Sequence, residues 1–459
     1  MEYISTRNSE KKFSFREVFL KGLAPDGGLF VPKNLPVFTS RELENLEKLS
    51  YVDLATKIIF KFCSSEFSEN KIKNLIENSY KEFRTKDVVK VKKTENLNLL
   101  ELFYGPTLAF KDIAMQVIGN MYEEILKKVD SKINIVVATS GDTGAAAIRA
   151  IKERKNMQIF VLHPNKKISK IQRKFMTSVN SQNVFNIAID GNFDDCQKLV
   201  KSMFNDKNFS KKINMSGVNS INWSRIVIQL VYYFFSYFKF IKGNKKINFS
   251  VPTGNFGDIY AGYVAKKMGL PINKLIVATN SNDILKRVIK TGIYKPEKVQ
   301  YTVSPSMDIQ VASNFERLIF DICLENSERT QKLMEELNEK GEFVLNKAEL
   351  EKINNNFLAE SLTEKETKTV IGNTFKNEKL LIDPHTAIAV GAANKINLKE
   401  ISVILATAHP AKFYEVVLKE TNIKPELPKS LEHILEAKEI YEKLPNNLKV
   451  IQDYILKKI

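Results

Sequence analysis

Short, nearly continuous apolar runs punctuate this chain, and between them apolar residues recur at helical spacing. INIVVAT (Ile133–Thr139), QIFVL (Gln158–Leu162) and VFNIAI (Val184–Ile189) are three such runs. Helical patterns follow them over Gly144–Lys155, about Lys170–Val179 and about Phe193–Phe204. INFSVP (Ile247–Pro252), KLIVAT (Lys274–Thr279) and ISVILAT (Ile401–Thr407) continue the series. Strands that are apolar on both faces belong to parallel sheets covered on both sides by helices. The pattern therefore predicts an α/β fold of two open, mostly parallel sheets flanked by helices, facing each other across a cleft. Residues 1–95 read instead as a small helical N-terminal subdomain, interrupted by the tight-turn signal Asp26-Gly27-Gly28. Residues 96–459 then form a catalytic region of two α/β domains, its site in the cleft, with Asn314–Glu360 helical, charged and peripheral. IVIQLVYYFFSYF (Ile226–Phe238), bounded by Arg225 and Lys239, is too short to span a bilayer and reads as a buried core helix.

Charge changes this picture little. The 459 residues are 43% hydrophobic and 27% charged, an ordinary globular balance with room for two or three domains. A net charge of +17 raises nucleic acid or an anionic membrane as partners. The lysines, however, alternate with glutamates along amphipathic stretches such as Lys71–Lys92 and Glu432–Lys458, without an Arg-rich arm or zinc-finger spacing. They predict a solvated surface that attracts anionic small molecules, with no nucleic acid and no membrane as partner. A basic nucleic-acid-binding protein is the alternative from a different class. Cys63, Cys196 and Cys323 form no CxxC, and Met1–Lys12 has no apolar signal core, so free thiols and a cytoplasmic protein are expected. His163, His385 and His433 lack metal-ligand spacing, and no metal is expected. His409, before a proline, reads as a structural helix start.

Four loops carry candidate chemistry. In LFYGPTLAFKDIAMQ (Leu102–Gln116) a Gly-Pro turn follows an apolar run, and Lys111 sits at the mouth of a helix beside Asp112. Apolar neighbours and the positive end of a helix dipole disfavour an ammonium, and a neutral amine is what Schiff-base formation requires. ATSGDTGAA (Ala138–Ala146) and VPTGNFGDIYAG (Val251–Gly262) each leave a buried strand through glycines and enter a helix, a geometry that presents backbone N–H groups to an anion. The second lacks the Gly-Lys-Ser/Thr ending of a nucleotide-binding P-loop. ILATAHPAKF (Ile404–Phe413) places Thr407 directly after a buried strand, where open α/β sheets bind ligands; capping of the next helix is the plain alternative. In NSINWSRI (Asn219–Ile226), Arg225 is suited to bidentate phosphate binding or to a helix-start salt bridge, and Trp223 to the core.

FYGPTLAFKD, ATSGDTGAA, NSINWSRI, GNFGDIYAG, SPSMDIQVASNFER (Ser304–Arg317) and ATAHPAKF, in this order, resemble threonine synthases. STRN (Ser5–Asn8) and GLAPDGGLFVP (Gly22–Pro32) resemble the entry segment of their longer bacterial and fungal subgroup, covering one side of the site. The resemblance implies a fold-type-II enzyme, tryptophan synthase β-like, with pyridoxal 5'-phosphate as cofactor. It implies conversion of O-phospho-L-homoserine and water to L-threonine and phosphate, by a monomer or homodimer. Phospholyases or dehydratases of similar fold would instead release a 2-oxo acid. By the same resemblance Lys111 holds the cofactor covalently and acts as the catalytic base. Gly254, Asn255, Phe256, Gly257 and Asp258 match the cofactor-phosphate loop, and Thr407 the residue facing the pyridine nitrogen. Thr139, Ser140, Gly141 and Thr143 match the loop that receives the substrate carboxylate, with Asp142 near the cofactor's phenolic oxygen; Arg225, read from its residue type and place, is the further candidate for binding substrate. Many relatives carry His at the position of Tyr104.

Overall fold

The computed structural model describes every residue except Lys166, Lys167, Val218, Asn219, Lys242 and Asn244; Asn219, the first residue of NSINWSRI, thus lies outside the described residues. The chain forms two compact units. One comprises Met1–Glu77, Phe83–Tyr104 and Ser220–Pro425, the other Asn78–Glu82, Gly105–Asn219 and Glu426–Ile459.

The first unit is built on a six-stranded sheet. Its strands run in the order Phe357–Ser361, Ile272–Thr279, Ile247–Pro252, Ser402–Ala406, Asn98–Glu101, Lys90–Lys93. All pairs are parallel except the last, where Lys90 lies opposite Glu101. Ser250 sits between Ile276 and Ile404 in register, so the central strand is covered on both edges and both faces. The helix Pro384–Ile396 seals one face, packing Ala387, Ile388 and Val390 on Leu99, Ile276 and Ile404. Burying each such aliphatic side chain contributes about 1.5–3 kcal/mol, which overrides the weak helix propensity of a strand-rich stretch. Phe357–Ser361 corrects the expectation that 314–360 is wholly peripheral: Phe357 is fully buried and its strand closes the sheet edge.

The N-terminal stretch carries the expected helices, Phe15–Lys21, Ser40–Glu47 and Tyr51–Cys63, each started by a hydroxyl cap on Ser14, Thr39 or Ser50. It also holds an antiparallel sheet of Asn8–Phe13, Tyr3–Ser5 and Phe30–Pro32. Two of these strands have three residues, too few for a two-residue alternation to stand out in the sequence.

The second unit holds a five-stranded sheet in the order Glu442–Leu444, Val184–Ile189, Met157–Pro164, Ile133–Ala138, Met215–Ser216, all parallel. Phe160, Leu162 and Ile187 pack beneath Cys196, Leu199 and Met203 of the helix Phe193–Asn205 and Ile451 and Ile455 of the C-terminal helix Leu448–Lys458. The short edge strand Glu442–Leu444 carries no apolar run and is legible only from its pairing.

IVIQLVYYFFSYF lies inside the helix Trp223–Phe240, which is buried almost throughout. Among the described residues no helix is long and apolar enough to cross a membrane. Against this helix packs Gly257–Lys267, and the contact is polar at its centre. Tyr232 Oη donates to Asp258 Oδ1 at 2.5 Å, and Tyr233 Oη to Asp258 Oδ1 at 3.0 Å and to its carbonyl at 2.9 Å. Burial pushes the Asp258 carboxyl up to about 6, against the two hydroxyls and Arg225, which favour its charged form. Burial also lowers Arg225 to about 10, with Tyr232 and Asp258 opposing.

A carboxyl whose folded pKa is raised keeps a proton that the unfolded chain releases. Its contribution to stability is complete below the unfolded value near 3.8 and is lost as pH climbs to about 6. Relative to Asp258→Asn, the parent should therefore lose melting temperature between pH 4 and pH 6 and run parallel to it above that window. Calorimetry of both proteins across pH 4–8 checks this, and a constant difference would remove Asp258 as a buried titrating group.

Candidate active site

In each unit the candidate loops leave the carboxyl ends of parallel strands at the point where strand order reverses, the place where open α/β sheets bind ligands. In the five-stranded sheet that strand is Ile133–Ala138, with Met157–Pro164 on one side and Met215–Ser216 on the other. In the six-stranded sheet the reversal falls between Ile247–Pro252 and Ser402–Ala406, so the 253–258 loop and Thr407 emerge side by side from neighbouring strands.

Lys111 is the first residue of the helix Lys111–Lys128 and is 8% exposed. The turn before it is held from behind. Asp112 accepts from Thr107 N and Thr107 Oγ1, both at 2.7 Å, and Leu108 adopts a left-handed φ of 61°. Asp112 is thus spent on the turn, and Asp142 is the carboxylate beside Lys111, with its Oδ2 3.8 Å from Nζ. Asp142 is 4% exposed and is itself oriented, because Gln172 Nε2 donates to its Oδ1 at 3.3 Å. Ser169 Oγ donates to Gln172 Oε1 at 3.1 Å and completes the chain.

Around Asp142 the loop divides into inward and outward residues. Thr139 is buried, and its Oγ1 accepts from Gly141 N and Gly144 N at 3.0 Å each, so its hydroxyl shapes the loop. Gly141 has φ 139° and ψ −74°, a conformation that only glycine adopts readily. Ser140 and Thr143 are half-buried.

In the first unit, Gly254, Asn255 and Gly257 are half-buried while Phe256 is 1% exposed and left-handed, at φ 63° and ψ 5°. The Asp258 carboxyl accepts from the two tyrosines of the helix pair described above, and Arg225 is 5% exposed. A side chain at Gly254 would place its Cβ 2.9 Å from the Ser306 carbonyl and 3.1 Å from Ile309 Cδ1. Packing behind the loop thus favours glycine at this position. Thr407 is 5% exposed. The cap of the following turn Pro410–Phe413 is His409, whose Nδ1 accepts from Ala411 N at 3.2 Å and whose pKa burial lowers to about 4. Capping is thus assigned to His409, and the alternative role of Thr407 falls. Tyr104 donates to Glu101 Oε2 at 2.5 Å under the Lys90 ammonium.

The residues present fit an anionic cofactor. Most helices of the chain begin with a Ser, Thr, Asn or Asp oxygen on a first-turn N–H, as at Asn192, Asn346 and Asp383. Those beginning at Phe110, Gly141 and Phe256 have no side-chain cap. The first turn of each carries the positive end of a helix dipole, which suits phosphate or carboxylate. Sequence reasoning missed Gln172, which reads as an ordinary residue three places after the cap Ser169. It also left Asn314 and Arg317 without a role, although both lie in the quoted SPSMDIQVASNFER segment.

Comparison with known proteins covers nearly the whole chain. Residues 2–80 match the family described as Threonine synthase N terminus, residues 92–407 Pyridoxal-phosphate dependent enzyme, and residues 386–455 Threonine synthase, C-terminal. The chain is 41% identical to the threonine synthase of Pseudomonas aeruginosa, over 99% of this chain and 98% of that one. The crystal structure of PLP-bound threonine synthase from Brucella melitensis is similar with a TM-score of 0.97 at 43% identity, covering 100% and 99% of the two chains. Threonine synthase from yeast follows at 0.95 and 39%, covering 100% and 98%. The chain belongs to the threonine synthase family of pyridoxal-phosphate-dependent enzymes, with their type II fold.

Proposed function

We propose that this enzyme converts O-phospho-L-homoserine and water into L-threonine and phosphate, and does so in the cytoplasm. The observation that carries the reading is Lys111, a buried amine at an uncapped helix start with one oriented carboxylate beside it. Free Cys63, Cys196 and Cys323 fit a reducing compartment.

In this reading Lys111 Nζ holds pyridoxal phosphate covalently. The backbone N–H groups of Gly254, Asn255, Phe256 and Gly257 receive its phosphate, with Asp258 supplying the first turn and, through its carboxyl, the anchorage of that helix. Asp142 lies near the phenolic oxygen and Thr407 faces the ring nitrogen. Ser140, Gly141 and Thr143 take the substrate carboxylate on a loop shaped by Thr139, and Arg225 supports the helix beneath the phosphate loop. When bound, the cofactor supplies an electron sink for charge developing next to the substrate's amine. Lys111 Nζ would take the proton from Cα and give it back there once the product is formed. Gln172 and Asp142 keep that amine from rotating away, which holds it within reach of the proton. Loss of a Cβ proton allows the γ-phosphate to leave; a proton then adds at Cγ and water at Cβ.

Incubation with O-phospho-L-homoserine should yield threonine and phosphate in equal amounts by chromatography; 2-oxobutanoate in place of threonine would overturn the proposal. Lys111→Ala should lose covalent cofactor, read by mass spectrometry after borohydride reduction. Its turnover should fall by at least about a thousandfold, the scale of a lost general base. Thr407 tests the electronics. A hydroxyl at the ring nitrogen supplies no negative charge, whereas a carboxylate there raises the pKa of that nitrogen and strengthens the sink. Thr407→Asp should therefore make less threonine and more aminated cofactor than the parent, while Thr407→Ser stays close to it. Equal product ratios in the two variants would remove Thr407 from the ring.

A further inference from the structure

The segment Ser304–Arg317 forms a mould for the phosphate loop. A Cβ on Gly254 would meet the Ser306 carbonyl and Ile309, and one on Gly257 would stand 3.2 Å from Asn314 Nδ2. The Phe256 ring, held in its left-handed conformation, meets Phe315 edge-on at 5.2 Å between centroids and Phe357 at 5.5 Å. Asn314 is fully buried and makes the polar contacts of this mould. Its backbone N–H and its Nδ2 both donate to the Asn255 carbonyl at 3.1 Å, and Nδ2 also donates to the Ser220 carbonyl at 3.1 Å. Its Oδ1 accepts from the Arg317 guanidinium, which sets the orientation of the amide.

This contact has a directional consequence. In a planar trans peptide the C=O and N–H vectors point in opposite directions. Two hydrogen bonds that pin the Asn255 carbonyl toward Asn314 therefore turn the Phe256 N–H the other way, away from Asn314. The left-handed Phe256 then brings the Gly257 N–H to the same side, the arrangement of a backbone anion nest.

We propose that Asn314 is a positioning residue for the cofactor: by gripping the Asn255 carbonyl it aims the Phe256 and Gly257 N–H groups at the cofactor phosphate. The inference rests on the reading that the 254–257 loop receives that phosphate. Asn314→Asp keeps the acceptor for Arg317 and removes the side-chain donor to Asn255 and Ser220, leaving one backbone bond to Asn255, and Asn314→Ser shortens the side chain without adding charge. Thr363→Ala, which removes the cap of the helix Glu364–Glu378, serves as a control for destabilisation alone.

From each holoenzyme the rate of cofactor loss is followed by absorbance, and the bound phosphate by its 31P resonance. Both Asn314 variants should lose cofactor faster by about tenfold or more, as for a lost hydrogen bond to a charged group, and should shift the phosphate resonance. Thr363→Ala should lower the melting temperature and leave both readouts at parent values. Parent-like release and resonance in the Asn314 variants, whatever their melting temperatures, would overturn the positioning role. Gly254→Ala separates this from the underlying reading. If it speeds cofactor loss while the Asn314 variants do not, only the inference fails; if it also releases cofactor at the parent rate, the phosphate-loop reading fails.

Discussion

The buried guanidinium of Arg317 ties together the parts of the first unit that meet behind the phosphate loop. It is fully buried and donates to the Phe30 carbonyl at 3.0 Å, the Ile221 carbonyl at 2.5 Å and Asn314 Oδ1, over the face of Trp223 at 5.5 Å. Burial lowers its pKa only to about 10, so it stays charged at neutral pH. A buried cation is costly unless its donors are met, and here the acceptors come from three separate stretches of chain. The N-terminal strand, the start of the Trp223 helix and the 314 turn are therefore held in one geometry or the charge is left unsatisfied.

The entry segment is a latch on the same turn. Arg7 donates to both Glu316 oxygens at 2.9 and 2.8 Å, and Thr6 Oγ1 adds a third bond to Oε1 at 2.7 Å. Thr6 Oγ1 in turn accepts from Leu29 N, and Ser5 Oγ donates to Asp26, so STRN and the PDGG turn act as one piece. This gives a physical reason for the company that Ser5–Asn8, Gly22–Pro32 and Ser304–Arg317 keep in the sequence. The first two segments brace the third, and the third shapes the 254–257 loop.

The two units solve a similar problem with different parts. In the second, Asp142 is oriented by Gln172 and Gly141 supplies a backbone conformation no other residue adopts readily. In the first, a bulky residue takes the unusual conformation. Phe256 is held left-handed by aromatic contacts with Phe315 and Phe357, a local cost of about 1–3 kcal/mol that only over-determined surroundings sustain.

The longer central strands, their covering helices and the small-residue loops at the strand ends were legible in the chain, because a buried parallel strand must be apolar on both faces. Ile133–Ala138, Val184–Ile189 and Ile247–Pro252 fall where their apolar runs predict, and Lys111 opens its helix as expected. Among the strands that escaped notice, Tyr3–Ser5, Phe30–Pro32 and Glu442–Leu444 are short and owe their conformation to the neighbour they pair with. Direction of side chains was likewise beyond the sequence. Asp112 and Asp142 are equally plausible neighbours of Lys111 on paper, and packing alone gives one to the turn and the other to the amine. That the Asp258 carboxyl accepts from Tyr232 and Tyr233 is likewise not written in the local sequence. Composition and periodicity are local and decide which segments are buried. Which partner a buried polar group meets depends on contacts between residues as far apart as Arg7 and Glu316, and only the tertiary structure brings those together.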